Sequence, residues 1–303
     1  MKVLITGATG LVGSEIVKLC EKENIAVNYL TTSKEKIENK PNYQGFYWNP
    51  KTGEIDKNCL NGVSKIINLV GASVSKPWTS SNKKAILNSR LDSANLLLKT
   101  LQENENDITQ IVSASAIGVY PDSLTTLYHE DFPGKDNNFL GDVVVKWEAA
   151  VDQFANAGLE VCKIRIGLVL SDKGGALTPI KKIVKNYVGS PLGSGKQWQS
   201  WIHIEDLARI FLFAIEKNLD GVYNGVAPNP VTNKRLTYAI AKKLNRPILM
   251  PKVPKFILKL ILGERSTLVL SSQLVSNAKL DALGFIYYYN YVIISLSCRN
   301  PLF

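Results

Sequence analysis

The chain has little that would hold a metal or cross-link itself. Its four cysteines, Cys20, Cys59, Cys162 and Cys298, stand far apart without a Cys-x-x-Cys pair, and there are only two histidines. Zinc sites draw their Cys and His ligands from closely spaced pairs, so no metal site is expected. The thiols should be isolated and buried, as in a reducing compartment. No run approaches the ~20 apolar residues that span a bilayer, so no membrane partner is expected. The first residues, Met1-Lys2-Val3-Leu4-Ile5-Thr6-Gly7, reach a glycine before a secretory leader's apolar stretch of roughly 7–15 residues could form. That start reads as a first strand and points to a cytoplasmic protein. Internal repeats, low-complexity linkers and basic-aromatic interleaving are also missing, so nucleic-acid binding is not expected.

What is present is an ordinary globular composition, 45% hydrophobic and 20% charged over 303 residues. That length can bury a large core, in one domain or two. The net charge of +10 is unevenly placed: residues 1–165 carry 18 Lys/Arg against 19 Asp/Glu (−1), and residues 166–303 carry 18 against 7 (+11). A basic C-terminal half can attract an anionic small-molecule substrate or an acidic partner, or it can simply be a lysine-rich solvated surface. Oligomeric state is not legible.

Up to residue 166 the chain alternates apolar runs with helical periodicity, the pattern of a parallel sheet flanked by helices. Strands are expected at 2–6, 26–31, 46–48, 65–70, 110–113 and 160–166. Helices are expected at 11–23, at 81–102 and at 138–157, the last closed by Gly158. After Gly167 glycine and proline become frequent, and shorter helices are expected at 205–217, 233–244 and 254–262. The expected fold is therefore α/β: a Rossmann doubly wound parallel sheet over residues 1–166, with a smaller C-terminal α/β cap region over 167–303. That region would form a wall of the substrate cleft, with some elements returning to the Rossmann domain.

Gly7-Ala8-Thr9-Gly10-Leu11-Val12-Gly13 lies between the first strand and the first helix. In such a loop one glycine makes the tight turn, a second admits the pyrophosphate to the backbone, and a third lets helix pack on strand. The helix N-terminus then supplies N–H donors and a positive dipole. Gly7, Thr9, Gly10, Leu11, Val12 and Gly13 are accordingly candidate dinucleotide-binding residues. An NAD-selective site carries an acid at the end of the second strand, where it holds the ribose 2′-OH. Here that place reads Leu30-Thr31-Thr32-Ser33-Lys34, so NADP(H) is favoured over NAD(H), with Thr32, Ser33 and Lys34 as candidate contacts of the 2′-phosphate.

The Gly-x-x-Gly-x-x-Gly spacing resembles that of the short-chain dehydrogenase/reductase superfamily. Further stretches narrow the likeness. They are Ile67-Asn68-Leu69-Val70-Gly71, Pro77-Trp78-Thr79 with Ser89-Arg90, Ser115-Ala116-Ile117-Gly118-Val119-Tyr120, and Arg165-Ile166-Gly167-Leu168-Val169-Leu170. To these are added Trp201-Ile202-His203-Ile204-Glu205-Asp206 and Ala227-Pro228-Asn229-Pro230. Together they resemble the atypical group of that superfamily called the epimerase family, from Met1 to about Phe285. The resemblance implies an extended-type Rossmann domain with a C-terminal cap, and it adds Leu69, Gly71 and Arg90 to the candidate cofactor-binding residues.

It does not bring the superfamily's catalytic Tyr-x-x-x-Lys pair. Counting back from Glu148, those places hold Leu140 and Val144, which can neither donate a proton nor depress a neighbour's pKa. Ser115 and Tyr120 are the candidate substitutes. Ser113 competes with Ser115 for the strand-end position, and Tyr120 competes with a plain packing role. Glu130 and Asp142 read as solvated or capping residues, His203 and Asp206 as structural, and Arg165 as either a site residue or a buried ion-pair partner. The end of the chain, residues 286–298, does not resemble the family's final helix. It reads as a diverged or out-of-frame end, and if exposed would be an aggregation hazard. Two functions are compatible with this sequence. One is an NADP(H)-dependent oxidoreductase or epimerase with unusual acid–base groups; the other is a non-catalytic NADP(H)-binding sensor or interaction protein.

Overall fold

The structure is a computed structural model and describes residues 1–296. Seven strands form the body of the main sheet: β1 (Lys2–Thr6), β2 (Ala26–Thr31), β3 (Tyr43–Asn49), β4 (Lys65–Asn68), β5 (Gln110–Ala116), β6 (Glu160–Ile166) and β7 (Gly221–Gly225). Their order across the sheet is β3-β2-β1-β4-β5-β6-β7, and two short strands, Asn39–Lys40 and Glu54–Ile55, pair antiparallel with β3. The β1–β2, β1–β4, β2–β3 and β4–β5 pairs are parallel. The helices are α1 (Leu11–Lys22), α2 (Ser80–Glu103), α3 (Phe139–Asp152), α4 (Leu177–Lys185), α5 (Ile204–Glu216), α6 (Asn233–Lys243) and α7 (Lys255–Leu262), with shorter turns between them.

This is the doubly wound Rossmann arrangement, with strand order reversing at β1, and ligands of such sheets bind outside the strand C-termini at that reversal. The central strands are apolar on both faces because helices cover both, as a parallel sheet requires. Val3, Leu4, Ile5, Ile66, Ile67, Ile111 and Val112 have no exposed surface. A 3-10 turn, Gln153–Ala157, replaces the end of the expected 138–157 helix, and Gly158 closes it at φ 83°, a left-handed conformation that glycine adopts without strain.

The chain divides into two compact units, one of Met1–Ala116, Asp142–Arg165 and Ala208–Tyr223, the other of Ile117–Gly141, Ile166–Leu207 and Asn224–Phe303. A single cut after Ile166 does not describe that division. The 208–223 stretch returns to the first unit because β7 is a strand of its sheet, and 117–141 leaves it directly after β5. Sequence periodicity did not predict β7 (Gly-Val-Tyr-Asn-Gly), whose glycines and asparagine hide it.

The second unit has its own small sheets: Leu168–Ser171 pairs with Trp201–His203 and Gly174–Gly175, and Leu274–Val275 pairs with Leu127–Tyr128. Trp201 is fully buried and its indole N–H donates to the Asn229 carbonyl (2.8 Å), while the Ala227 amide donates to the Trp201 carbonyl (2.7 Å). The Trp-Ile-His and Ala-Pro-Asn-Pro segments thus hold one another in place.

The end of the chain, which from sequence reads as diverged or out of frame, packs into this unit as far as it is described. Asp206, fully buried in the first turn of α5, accepts hydrogen bonds from the backbone amides of Tyr288 (3.0 Å) and Tyr289 (2.9 Å). The Tyr289 ring stacks on His203 at 3.6 Å, and its hydroxyl donates to Glu205 (2.7 Å). Phe285, Tyr287 and Tyr289 are buried while Ile286, Tyr288 and Asn290 are exposed, so alternate residues enter the core, and Val292 is buried after them. Ser297 and Cys298 lie outside the described residues.

Cys20, Cys59 and Cys162 are buried. Burial pushes the Cys20 and Cys59 thiols up to about 12, which leaves them protonated and unreactive at neutral pH. Among the described residues no helix is long and apolar enough to cross a membrane.

Removing the Asp206 carboxylate would take away the acceptor that the two tail amides share, at a cost of about 1–3 kcal/mol. Asp206→Ala should therefore lower the denaturant midpoint and expose residues 285–292 to limited proteolysis. Unchanged protection there would contradict the docking of the tail.

Candidate functional site

The site is built where β1 ends. Gly7 sits at φ 75°, and a Cβ there would lie 3.3 Å from the backbone of Leu69, the first residue after β4. The Gly7 carbonyl accepts from the Gly10 amide (2.9 Å), which closes the turn. Gly10 is the N-cap of α1 and brings no side-chain cap, so the amides of the first helical turn, Leu11, Val12 and Gly13, are not capped by it. Those donors and the helix dipole make a receptor for phosphate. Thr9 and Gly10 are exposed beside them.

The three glycines do different work. A Cβ at Gly13 would fall 2.2 Å from the Gly7 carbonyl oxygen and 2.7 Å from the Ala8 Cα, inside the backbone of the turn itself. A Cβ at Gly10 meets only that oxygen, at 3.1 Å, and its backbone (φ −80°, ψ 176°) suits any residue. Gly13 is thus required by the helix–strand packing. Gly10 keeps the surface of the loop bare, which a bound pyrophosphate would use.

At the end of β2, Thr32 and Lys34 are exposed and Ser33 is half-buried. The Thr31 hydroxyl accepts from the Ser33 amide (3.2 Å), which turns the chain into a short 3-10 helix beginning at Lys34. The Lys34 ammonium lies 4.9 Å from the centre of the Tyr47 ring, on the neighbouring strand β3. The turn therefore offers two hydroxyls and a fixed positive charge, with no carboxylate among residues 31–34.

The other lip follows β4. Thr6, Asn68 and Ser113 face one another across β1, β4 and β5, all buried. The Thr6 hydroxyl donates to Asn68 Oδ1 (2.7 Å), Asn68 Nδ2 donates to Ser113 Oγ (3.1 Å), and Thr6 Oγ1 accepts from the Leu69 amide (3.1 Å). This row fixes the point at which Leu69 leaves the sheet. Two consecutive residues of α2 then hold the next turn: Ser89 accepts from the Ala72 amide (2.8 Å), and Arg90 donates to the Ala72 carbonyl (3.3 Å). The Arg90 guanidinium fills the space under Gly71, where a Cβ would come within 2.7 Å of its central carbon, and it stacks 4.7 Å from the Trp147 ring. Burial pulls its pKa down to about 10, and its Nε has no hydrogen-bond partner among the described residues. Arg90 thus stands beneath the lip and supports it.

Ser115, at the end of β5, is buried, and its hydroxyl donates to Glu148 on α3 (2.5 Å). Glu148 is paired with Arg165 of β6 through two bonds, Nε–Oε1 and Nη2–Oε2, both 2.9 Å. Burial alone would raise the Glu148 pKa. The Arg165 bonds and charge, helped by Ser115, outweigh it and hold the carboxyl below its usual range. The Ser115 proton is therefore committed to a carboxylate, and Arg165 proves to be a buried ion-pair partner. These three lie on β5, α3 and β6, so their meeting is hidden from the linear sequence. An acid and a base near a strand end offered the only signal.

Tyr120 is fully buried, stacks on Tyr128 at 5.1 Å between ring centres, and donates its hydroxyl to Asn224 Oδ1 (2.8 Å). This is the packing role that the sequence left open for Tyr120 beside that of a displaced acid. Leu140 and Val144 lie one turn apart on α3, and Val144 is buried. Glu130 accepts from the Asn224 amide (2.9 Å), and His203 Nδ1 accepts from the Glu205 amide (3.3 Å), both structural ties. Asp142 is exposed in the first turn of α3, where its charge suits the helix dipole.

A doubly wound sheet, a bare glycine turn and an uncapped helix end at the strand reversal define an NAD(P)-binding Rossmann protein. The sequence matches the NAD dependent epimerase/dehydratase family over residues 3–225 and a domain of unknown function, DUF1731, over 253–292. The chain belongs to the NAD dependent epimerase/dehydratase family. The second match runs past Phe285, which agrees with the docked tail. An epimerase family protein of Staphylococcus epidermidis is 38% identical over 290 residues, 95% of each chain. The chloroplastic epimerase family protein SDR39U1 homolog of Arabidopsis thaliana is 37% identical over 297 residues, 96% of this chain and 84% of its own. The crystal structure of human epimerase family protein SDR39U1 (isoform 2) with NADPH superimposes with a TM-score of 0.83 at 28% identity, over 98% of both chains.

Gly13→Ala should cost at least about 1–3 kcal/mol of stability through backbone overlap. Gly10→Ala needs the Gly7 carbonyl to give only a few tenths of an ångström, so its melting temperature should stay close to that of the unaltered protein. Its dinucleotide affinity should nevertheless fall about tenfold or more, equivalent to ~1.4 kcal/mol. Undiminished binding by Gly10→Ala would mean that this turn is not the phosphate site.

Proposed function

We propose that the chain is an NADP(H)-dependent oxidoreductase or epimerase acting on a small-molecule substrate. The observation that carries the cofactor choice is the acid-free end of β2, where Lys34 is exposed and placed over Tyr47. An ammonium beside two hydroxyls suits a 2′-phosphate and gives nothing to accept from a 2′-OH in the way a carboxylate does. The human relative's crystallisation with NADPH supports the same choice.

On this reading the amides of Leu11, Val12 and Gly13, with Thr9 and Gly10, receive the pyrophosphate. Thr32, Ser33 and Lys34 receive the 2′-phosphate. Leu69 and Gly71 line the approach, and Arg90 holds Gly71 and Ala72 in place from below. Bound there, a nicotinamide dinucleotide supplies a hydride donor or acceptor. With its proton given to Glu148, Ser115 has lone pairs to offer, so its part is to accept a hydrogen bond from a substrate hydroxyl and orient it. The proton needed at a carbonyl oxygen then comes from water or from the substrate.

A second reading has its own support. Leu140 and Val144 fill the proton-relay places, Tyr120 is committed to Asn224, and Ser115 to Glu148. A protein that binds NADP(H) and reports its occupancy to a partner needs no relay.

Fluorescence titration should show NADPH binding at least about tenfold more tightly than NADH, a difference of ~1.4 kcal/mol, and Lys34→Glu should erase or reverse the preference. Equal affinities in the unaltered protein would refute the assignment. A panel of carbonyl compounds should include one that consumes NADPH, with the rate reduced in Ser115→Ala at unchanged NADPH affinity. If no compound consumes it, the sensor reading stands.

A further inference from the structure

Helix α7 (Lys-Phe-Ile-Leu-Lys-Leu-Ile-Leu) is apolar over most of its circumference, as a buried helix would be, yet it lies on the surface. Phe256 is 69%, Leu260 84% and Ile261 68% exposed, and Leu258 is its one buried residue. Phe256 and Leu260 stand four apart and so form one stripe. Lys255 and Lys259, each one residue earlier, form a cationic stripe beside it. Both lysines are exposed, and neither forms an ion pair among the described residues.

The apolar surface continues into the segment leading to α7, where Leu249 is 68% exposed and Met250 48%. Ser190 bonds to the Pro251 carbonyl, and the Gly193 amide donates to Val253 (2.8 Å), which ties this segment to the loop that follows exposed Val188. From residue 242 to 265 the chain carries seven Lys or Arg and one acid, Glu264. Soluble monomers rarely expose large contiguous apolar patches, and such patches mark interaction sites.

We propose that this face docks on an anionic lipid surface, with Phe256, Leu260 and Ile261 entering the headgroup–acyl boundary and Lys255 and Lys259 reaching the lipid phosphates. The pairing of an apolar stripe with an unpaired cationic stripe decides among the occupants. A second copy of the chain would bring like charges together, seven minus one on each side. An uncharged apolar groove would leave the lysines desolvated without partners. A negatively charged bilayer surface satisfies both stripes, and long lysine side chains reach the phosphates while their methylenes stay in the apolar zone. This is attachment from one side, for which no spanning segment is needed.

Flotation of the full-length protein with vesicles of phosphatidylcholine mixed with phosphatidylglycerol, against phosphatidylcholine alone, tests the proposal. The mixed vesicles should retain about tenfold more protein or better, and high salt should reduce the difference. Phe256→Ser/Leu260→Ser and, independently, Lys255→Glu/Lys259→Glu should each abolish most of the binding. All four side chains are exposed, so far-UV circular dichroism and NADPH affinity should stay as in the unaltered protein. No retention on anionic vesicles, or retention that both double variants keep, would overturn the proposal. So would a dimer in light scattering that the Phe256/Leu260 variant dissolves, because the face would then belong to a second copy.

Discussion

The site depends on the tight approach of α1 to the carbonyl of Gly7. That oxygen accepts from Gly10 at 2.9 Å and leaves no room for a Cβ on Gly13. Because the turn is this tight, α1 begins directly over the end of β1, with its first amides turned to the place where the strand order reverses. A looser turn would move the helix away from the strand and lose both the packing and the phosphate receptor. Gly7 and Leu69 are brought together by the same turn, so the cofactor site and the β4 exit share one constraint.

Polar groups in the core then fix the rim of that site. Thr6, Asn68 and Ser113 are buried and bonded in a row, which makes the C-terminal edge of three strands a rigid unit rather than three fraying ends. Ser115, Glu148 and Arg165 do the same one step further along the sheet, where a charged pair is buried with most of its hydrogen-bonding capacity used. The familiar acid–base pair of the superfamily would have come from the α3 face that carries Leu140 and Val144. Here the polar member of that face is Glu148, one turn beyond Val144, and it is tied to Arg165.

The glycine loop, β1, β2, α1, α2 and the later helices α5, α6 and α7 were legible in the sequence because their signals are local: periodicity, turn residues, and three glycines between a strand and a helix. The acid-free end of β2 was legible for the same reason. What escaped depends on distant partners. β7 has no apolar alternation, and Leu168–Ser171 looks continuous with β6 although it pairs with Trp201–His203. Helix α4 was not predicted; it is short and carries Pro179 in its first turn. Arg165 and Tyr120 were open between two roles until Glu148 and Asn224 were seen to bind them. The aromatic tail read as foreign to the fold because its composition has no helical pattern, yet the Asp206 carboxylate organises it through backbone amides, which are invisible to composition.

In the proposed site a 2′-phosphate would rest against Lys34 while the pyrophosphate rests on the first turn of α1. Phosphorus-31 NMR of NADPH with the purified protein observes both groups at once. The 2′-phosphate resonance should move on binding, and its titration midpoint should fall below the free phosphate's value of about 6, because a nearby ammonium favours the dianion. A pyrophosphate signal that shifts while the 2′-phosphate keeps its free position and midpoint would contradict the account.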